Sequence, residues 1–152
     1  MSRLLGIPIR VEPPARVAGL GGGVRAVLHE IANLLERLAI NNEPAAIDLR
    51  SLPMSALDRT ELRGVLGEGE VQATLNAEGL STIQETRIPG VWWIEHRDRQ
   101  GALIAELIEV TCVPEILARV SGEIAAGARE LRDQLGATAA AADPGGGSAA
   151  RQ

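Results

Sequence analysis

Four short stretches with strand character follow one another between residues 70 and 111. They cover residues 70–76, 81–88, 91–97 and 102–111, with turns at residues 78–79, 89–90 and 98–101. Connections this short join antiparallel neighbours, because a parallel pair needs a crossover of a dozen or more residues. We therefore expect a four-stranded antiparallel meander, which residues 45–49 could extend by a fifth strand.

Amphipathic helices are expected beside this sheet. Residues 24–40 repeat apolar side chains along one helix face, and Ser55 with Asp58 forms a capping-box start for a helix over residues 56–66. Pro114 suits the first turn of a longer helix that reaches residue 135. The apolar stripe of this last helix is expected to be buried and consists of Leu117, Val120, Ile124, Leu131 and Leu135.

The predicted fold class is therefore α+β in two layers. A four- to five-stranded, mainly antiparallel sheet carries the amphipathic helices, 24–40 and 114–135, on one face. Residues 1–23, with Pro13-Pro14 and a glycine cluster, indicate an N-terminal arm and connection. Residues 24–135 suffice for a single domain, and the Ala-, Gly- and Ser-rich residues 136–152 are expected to be a disordered tail.

Charge and apolar patterning disfavour several classes of function. The formal net charge is −5 at pH 7 and the 15 basic residues are scattered, which argues against nucleic acid as a partner. No apolar run approaches the roughly 20 residues that a membrane span requires. The single cysteine, Cys112, cannot form an internal disulfide and fits a reducing compartment, so the cytoplasm is the expected location.

No combination of residues typical of catalysis or metal binding occurs. His29 and His96 lie on different predicted elements, and Cys112 is expected to be buried and functionally inert. We therefore predict no catalytic residue, no metal ligand and no cofactor. Glu68 and Glu70 form the one carboxylate-rich spot, which we interpret first as a helix end followed by a strand entry, and second as an exposed acidic contact or a weak cation site.

Trp92 and Trp93 are the only aromatic residues of the chain. Neighbours on a strand point to opposite faces of a sheet, so one indole enters the core and the other faces outward. We expect Trp92 outside, because Val91 and Trp93 then share the inner face. The outer indole is either half covered within the fold or an anchor for a partner. The adjacent stretch 81–88 is polar on both faces, which suits a sheet edge or a contact face.

Several short motifs occur in order along the chain. They are Leu-Gly-Glu-Gly-Glu-Val at 66–71, Gln-Glu-Thr at 84–86, Pro-Gly-Val-Trp at 89–92 and Ile-Glu-Val at 108–110. With these motifs the sequence resembles the hydrogenase expression/formation protein family of the HupH/HyaF/HoxQ type, and Ile-Asp-Leu-Arg-Ser-Leu-Pro at 47–53 fits the same family. The resemblance covers residues 45–120.

This resemblance implies a non-catalytic, chaperone-like role in the maturation of [NiFe]-hydrogenase. The implied partners are the precursor of the iron–sulfur small subunit, before its export by the twin-arginine route, and other maturation proteins. Motif position and expected exposure then indicate a set of partner-binding residues. The set consists of Gly67, Glu68, Gly69, Glu70, Gln84, Glu85, Pro89, Gly90, Trp92 and Trp93.

Two further functions stay open at the level of sequence. One is a small metal carrier or enzyme that uses Glu68 and Glu70, and the other is a homo-oligomeric structural module. Members of the family are often longer and can contain two related units, whereas this chain has room for one. Pairing with itself would restore the missing neighbour, so we expect a homodimer with one tryptophan in its interface or in the partner-binding surface.

Overall fold

The computed structural model describes residues 19–118 and 121–141. Its elements are α1 (Gly22–Asn41), β1 (Ala45–Asp48), α2 (Ala56–Leu66), β2 (Gln72–Asn76), β3 (Leu80–Glu85), β4 (Val91–Arg97), β5 (Leu103–Val110), α3 (Glu115–Ala118) and α4 (Ser121–Ala141). These residues form two compact units that divide between Cys112 and Val113. The first unit contains the strands with α1 and α2, and the second contains α3 and α4.

The five strands form one antiparallel sheet in the order β1-β5-β4-β3-β2. The meander, the fifth strand and the α+β fold class are thereby confirmed. Of the two alternatives for stretch 81–88, a sheet edge or a contact face, the edge is wrong, because β3 is paired on both sides and β1 and β2 are the edges. Its polar residues belong to an inner strand, where Gln84 bonds to neighbouring backbone carbonyls.

One face of the sheet packs against α1 and α2 to form the core. Trp93 stands opposite Ile108 and is 3% exposed, so its predicted place on the inner face is confirmed. Leu62 and Leu66 of α2 close this core beside α1. The buried cluster consists of Val24, Val27, Ile31, Leu34, Leu49, Leu62, Leu66, Val91, Trp93, Ile108 and Val110. Removing this apolar surface from water is the main favourable contribution to folding of the unit.

Helix α2 begins and ends as the sequence predicts. The Ser55 side chain accepts a hydrogen bond from the Asp58 N–H at 3.1 Å, and the Ser55 N–H donates to the Asp58 carboxylate at 2.8 Å. Gly67 follows the helix with φ 65° and ψ −171°, a combination that is accessible almost only to glycine. This glycine turns the chain out of the helix and toward the sheet.

Helix α4 differs from its prediction in two respects. Of the apolar stripe expected to be buried, Ile124, Leu131 and Leu135 are 66%, 58% and 63% exposed, Leu117 of α3 is partly buried, and Val120 lies outside the described residues. The helix also continues to Ala141, inside the stretch expected to be a disordered tail, because alanine is the strongest helix former. Most of the predicted N-terminal arm, residues 1–18, and residues 142–152 lie outside the described part of the chain. Among the described helices, none combines the length and the apolar character that crossing a membrane requires.

Candidate partner-binding surface

Residues 67–71 run alongside the last residues of β3. The Gly69 N–H donates to the Glu85 carbonyl at 2.7 Å, and the Glu85 N–H donates to the Val71 carbonyl at 2.8 Å. The Arg87 N–H donates to the Leu66 carbonyl at 3.0 Å, which ties the same region to the end of α2. Backbone bonds on alternate residues are typical of an antiparallel ladder, so this segment continues the sheet edge beyond β2.

Two glycines make this close approach possible. A Cβ added at Gly67 would lie 2.0 Å from Nε of Arg87, and one at Gly69 would lie 2.6 Å from the Thr86 carbonyl oxygen. Both distances are far below van der Waals contact. The Gly-Glu-Gly-Glu pattern therefore alternates positions that must be glycine with positions whose carboxylates, on Glu68 and Glu70, are exposed.

The turn between β3 and β4 lies next to this segment. The Thr86 N–H donates to the Val91 carbonyl at 3.0 Å, and the Thr86 hydroxyl accepts from the Ile88 N–H at 3.2 Å. Gly90 has φ 83° and a Cβ there would come within 3.4 Å of Leu35 on α1. Pro89 is exposed at the tip of the turn. We call residues 67–71 together with residues 84–90 the motif end of the sheet.

Trp92 is buried, with 6% of its surface exposed, so the prediction that this indole faces outward is wrong. Its Nε1–H donates to the Thr111 carbonyl at 3.0 Å. Trp92 does lie on the sheet face opposite Trp93, as strand alternation requires. Its partner is the backbone just after β5, and both indoles therefore belong to the fold rather than to its exposed surface.

The remaining predicted residues differ in exposure. Gln84 is partly buried, and its side-chain amide donates to the carbonyls of Gly69 at 3.3 Å and Glu85 at 3.0 Å. These hydrogen bonds stabilise the backbone of the motif end. Glu85 is also partly buried. The exposed side chains of the motif end are those of Glu68, Glu70, Val71, Arg87, Ile88 and Pro89. This surface combines charge with a small apolar patch.

Cys112 is exposed, and the expectation of a buried thiol is wrong. β5 ends at Val110, so Cys112 lies in the bend that follows the sheet rather than on a core-facing strand position. Within residues 19–118 and 121–141, no three His, Cys, Asp or Glu side chains are arranged so that they could hold a metal ion. His96 contacts Ser81 through Nδ1 and Oγ at 2.8 Å.

A cluster of charged residues on the helix-covered face was missed by the sequence reasoning. Glu95 and Glu106 are cross-strand partners on β4 and β5, and α2 places two arginines over them. Arg59 Nε lies 3.3 Å from Glu106 Oε2, and Arg63 pairs with Glu95. The Arg-x-x-x-Arg spacing on one helix face was the available signal, but only the strand register shows which carboxylates it meets.

The chain matches the model of the family described as "HupH hydrogenase expression protein, C-terminal conserved region" over residues 23–138. The chain belongs to this family. The match covers the sheet, α1, α2 and the motif end, and it confirms the resemblance inferred from the short motifs. We therefore interpret the motif end by comparison with the HupH family.

Named relatives and a solved structure agree with this assignment. The chain is 33% identical over 90 residues to the hydrogenase expression/formation protein HoxQ of Azotobacter vinelandii, which is 59% of this chain and 32% of that protein. It is 32% identical over 107 residues to HupH of Rhodobacter capsulatus, which is 69% of this chain and 39% of that protein. The structure of the hydrogenase expression protein HupH from Thiobacillus denitrificans superposes with a TM-score of 0.73 at 41% identity, over 76% of this chain and 97% of that one. The chain thus spans about a third of the length of these two curated HupH-family relatives.

Proposed function

We propose that this protein is an accessory, chaperone-like factor in [NiFe]-hydrogenase maturation. It holds the precursor of a hydrogenase subunit, the iron–sulfur small subunit, in the cytoplasm until later maturation proteins act. The proposal rests on membership of the HupH family and on relatives named for hydrogenase expression and formation. It assigns no catalytic step and no cofactor to this chain.

The motif end is the surface proposed to bind the precursor. The observation that supports this most is that the family-type motifs, scattered from residue 66 to residue 110, meet at one end of the sheet and leave Glu68, Glu70, Ile88 and Pro89 exposed. The glycines and Gln84 hold the backbone beneath these side chains through hydrogen bonds. A binding surface fixed in this way loses little conformational entropy when a partner docks.

Each exposed side chain has a separate role in this proposal. The carboxylates of Glu68 and Glu70 attract basic residues of the precursor and orient it during encounter, as charges at the rim of an interface do. Ile88, which is 39% exposed, and Pro89 supply the apolar contact. The buried Trp92 acts indirectly, because its hydrogen bond to Thr111 fixes the first residues of β4 beside the turn.

A homodimer remains part of the proposal, with a different interface from the one expected from sequence. Trp92 is buried and cannot anchor it. Helix α4 instead exposes Ile124, Leu131 and Leu135, which recur at seven- and four-residue intervals on one helix side. A second copy of the same helix fits such a stripe, because two-fold pairing brings identical apolar faces together.

Co-purification tests the proposed function directly. Tagged protein is expressed in cells that produce a [NiFe]-hydrogenase, and the bound proteins are identified by mass spectrometry. We expect the small-subunit precursor, still carrying its export signal, to be enriched over a strain that lacks the tag. Recovery of the chain with no hydrogenase subunit, in cells that accumulate the precursor, would contradict the proposal.

A further inference from the structure

Strand β2, at one edge of the sheet, has a neighbouring strand on one side only among the residues that the structure describes. It pairs with β3 over five residue pairs, from Gln72 with Gln84 to Asn76 with Leu80. The other side of β2 therefore presents backbone N–H and C=O groups to solvent. Such groups bond strongly, and an open edge is a template for another strand.

Hydrogen bonds at the two ends of β2 show which residues face the open side. The Val71 carbonyl accepts from the Glu85 N–H at 2.8 Å, and the Ala77 N–H donates to the Gly79 carbonyl at 3.1 Å. Antiparallel strands bond through alternate residues, so the odd-numbered residues of β2 bond to β3. The even-numbered residues direct their N–H and C=O groups outward. They are Gln72, Thr74 and Asn76, and all are exposed.

The sequence of β2 lacks the features that commonly prevent pairing at a sheet edge. Natural edge strands carry lysine, proline, a bulge or an inward-pointing charge. The five residues of β2, Gln-Ala-Thr-Leu-Asn, include no charge and no proline, and their register with β3 has no shift. An edge of this kind binds extended polypeptides through main-chain hydrogen bonds and gains specificity from alternate side chains.

A second copy of β2 is a poor occupant of this edge. Two-fold antiparallel pairing along the whole strand would bring Glu70 near Glu78 of the second copy, at both ends of the pair. Like charges in opposing positions on paired strands are destabilising. The edge therefore favours a segment with a different charge pattern from its own.

The charge along the edge indicates which residues flank the bound segment. Residues 67–78 contain three glutamates and no basic residue, and Glu68 and Glu70 occupy exposed positions just before β2. The Arg87 side chain lies beside Gly67 and offsets one of these charges, so the edge remains net negative. In antiparallel pairing, the residues that follow the bound segment lie at this end of β2. Basic residues at that position complement the carboxylates.

The side chains of β2 indicate the pattern of the segment itself. Ala73 and Leu75 lie on one face of the sheet, and the polar side chains of the even-numbered residues lie on the other. Directly opposed side chains on one face of an antiparallel pair contact each other. A segment that alternates apolar and polar residues therefore places its apolar side chains beside Ala73 and Leu75.

We propose that the open edge of β2 binds an extended polypeptide segment, which joins the five-stranded sheet as an additional antiparallel strand. The segment alternates apolar and polar side chains and is followed by basic residues. β2 begins directly after residues 67–71, so a segment bound here continues onto the motif end. The proposal concerns a mode of binding and holds whichever protein supplies the segment, so it does not rest on the proposed hydrogenase precursor.

A synthetic peptide that alternates three threonines with three valines and ends in two lysines tests the proposal on the intact, ¹⁵N-labelled protein. Amide hydrogen exchange is followed by NMR with and without saturating peptide. The peptide should slow exchange at Gln72, Thr74 and Asn76 by about tenfold or more, because their N–H groups become hydrogen-bonded. No change at these amides would overturn the proposal. Protection of these amides in the free protein would also overturn it, since this chain or a second copy would already occupy the edge.

Two N-methylated versions of the peptide separate main-chain pairing from side-chain contact. Valines opposite Ala73 and Leu75 direct their N–H groups away from β2, whereas threonines opposite Thr74 direct theirs toward it. Methylation of the valine amides should preserve binding, and methylation of the threonine amides should weaken it by about tenfold or more. Equal affinity of the two methylated peptides would overturn the proposal.

A peptide that ends in two glutamates instead of two lysines tests the role of charge. It should bind about tenfold more weakly than the lysine peptide, and the difference should shrink at high salt because exposed charges are screened. Binding of the glutamate peptide as tightly as the lysine peptide would contradict the proposed charge pattern.

The variant Thr74→Pro removes the central outward N–H of the edge. Proline is tolerated on an edge strand where the N–H faces solvent, so this variant should fold and lose peptide binding. Thr74→Val retains the N–H and the branched side chain, and it should bind the peptide as wild type does. Unchanged affinity in a folded Thr74→Pro protein would contradict the proposal. If this variant does not fold, the comparison of the two N-methylated peptides still decides.

Discussion

The end of the Arg87 side chain occupies the space beside Gly67 in which a Cβ atom would lie. A methyl group on Gly67 would lie 2.0 Å from Arg87 Nε and 2.6 Å from Cζ. Gly67 also has φ 65° and ψ −171°, which disfavours any side chain. Gly67 therefore ends α2 in a backbone conformation that other residues rarely adopt, and the motif end begins at this residue.

Substituting Gly67 by Ala should therefore destabilise the protein by about 1–3 kcal/mol, the usual cost of a residue held in a sparsely populated backbone region. The flexible Arg87 side chain can move aside, so the backbone conformation dominates this cost. Gly64→Ala is the matched control, because Gly64 lies inside α2 with nothing within 4 Å of an added Cβ. Gly64→Ala should increase the free energy of unfolding by about 0.5–1 kcal/mol. Urea unfolding measures both, and equal effects would show that Gly67 has no special conformation.

Trp92 contributes to stability through burial and through its hydrogen bond to Thr111. Replacement by Ala should lower the free energy of unfolding by about 3–5 kcal/mol, as large core truncations do. Replacement by Phe preserves most of the packing and removes the N–H donor to the partly buried Thr111 carbonyl, so it should cost about 0.5–1.5 kcal/mol, the usual net worth of one hydrogen bond. Denaturant melts of both variants check this. A near-neutral Trp92→Ala would mean that the indole is exposed.

The capping box of α2 should make stability depend on pH in the acid range. Hydrogen bonds from the side chain and backbone of Ser55 hold the pKa of Asp58 below its ordinary value of 3.8. A lowered folded-state pKa adds stability that is present above pH 3.8 and is lost as pH falls through the lower folded-state pKa. The difference in melting temperature between wild type and Asp58→Asn should therefore shrink in acid.

Ser55→Ala separates the capping box from other effects of acid on the protein. Without the Ser55 hydroxyl, Asp58 loses its strongest partner, so Asp58→Asn should have little pH-dependent effect in the Ser55→Ala background. Melting curves recorded from neutral pH down to about pH 2 span the relevant range. A difference between wild type and Asp58→Asn that stays constant in acid would show that the capping carboxylate has an ordinary pKa.

Substitutions on helix α4 test the proposed homodimer. Leu131 is 58% exposed near the middle of the apolar stripe, so Leu131→Glu should weaken self-association with little loss of folded stability. Glu130→Gln, one residue away, is a control that leaves the stripe intact. Sedimentation velocity over a range of concentrations distinguishes monomer from dimer. A wild type that stays monomeric at the highest concentration would contradict the dimer.

Local chemistry explains why most of the fold was predictable. The turn at residues 89–90, the Ser55–Asp58 box and Gly67 each specify their element through contacts within a few residues. The burial of Trp92 was not predictable in this way, because strand alternation indicates which face a side chain takes but not what covers that face. Cys112 was expected to be buried because it lies between the last strand and the Pro114 helix start, but the sequence does not show whether that connection is covered, and the thiol is exposed.

The candidate site likewise has one part that was predictable from the sequence and one part that was not. The exposed carboxylates of the motif end follow from the Gly-Glu-Gly-Glu spacing, so Glu68 and Glu70 could be singled out from the sequence. The charged cluster of Arg59, Arg63, Glu95 and Glu106 could not, because it requires the register that places Glu95 opposite Glu106 and the packing of α2 above them. Features set by a single segment of the chain could be predicted from the sequence. Features formed where three segments pack together could not.

Binding of the purified small-subunit precursor to the full chain, measured by isothermal titration calorimetry, tests the central claim most directly. The decisive comparison uses Glu68→Gln/Glu70→Gln, which removes both exposed carboxylates of the motif end. Its control is Glu30→Gln/Glu78→Gln, which changes the net charge equally at two exposed positions outside the motif end. We expect wild type and control to bind alike and the motif-end variant to bind about tenfold more weakly, a loss of about 1.4 kcal/mol. No detectable binding by wild type, or equal binding by both double variants, would contradict the account.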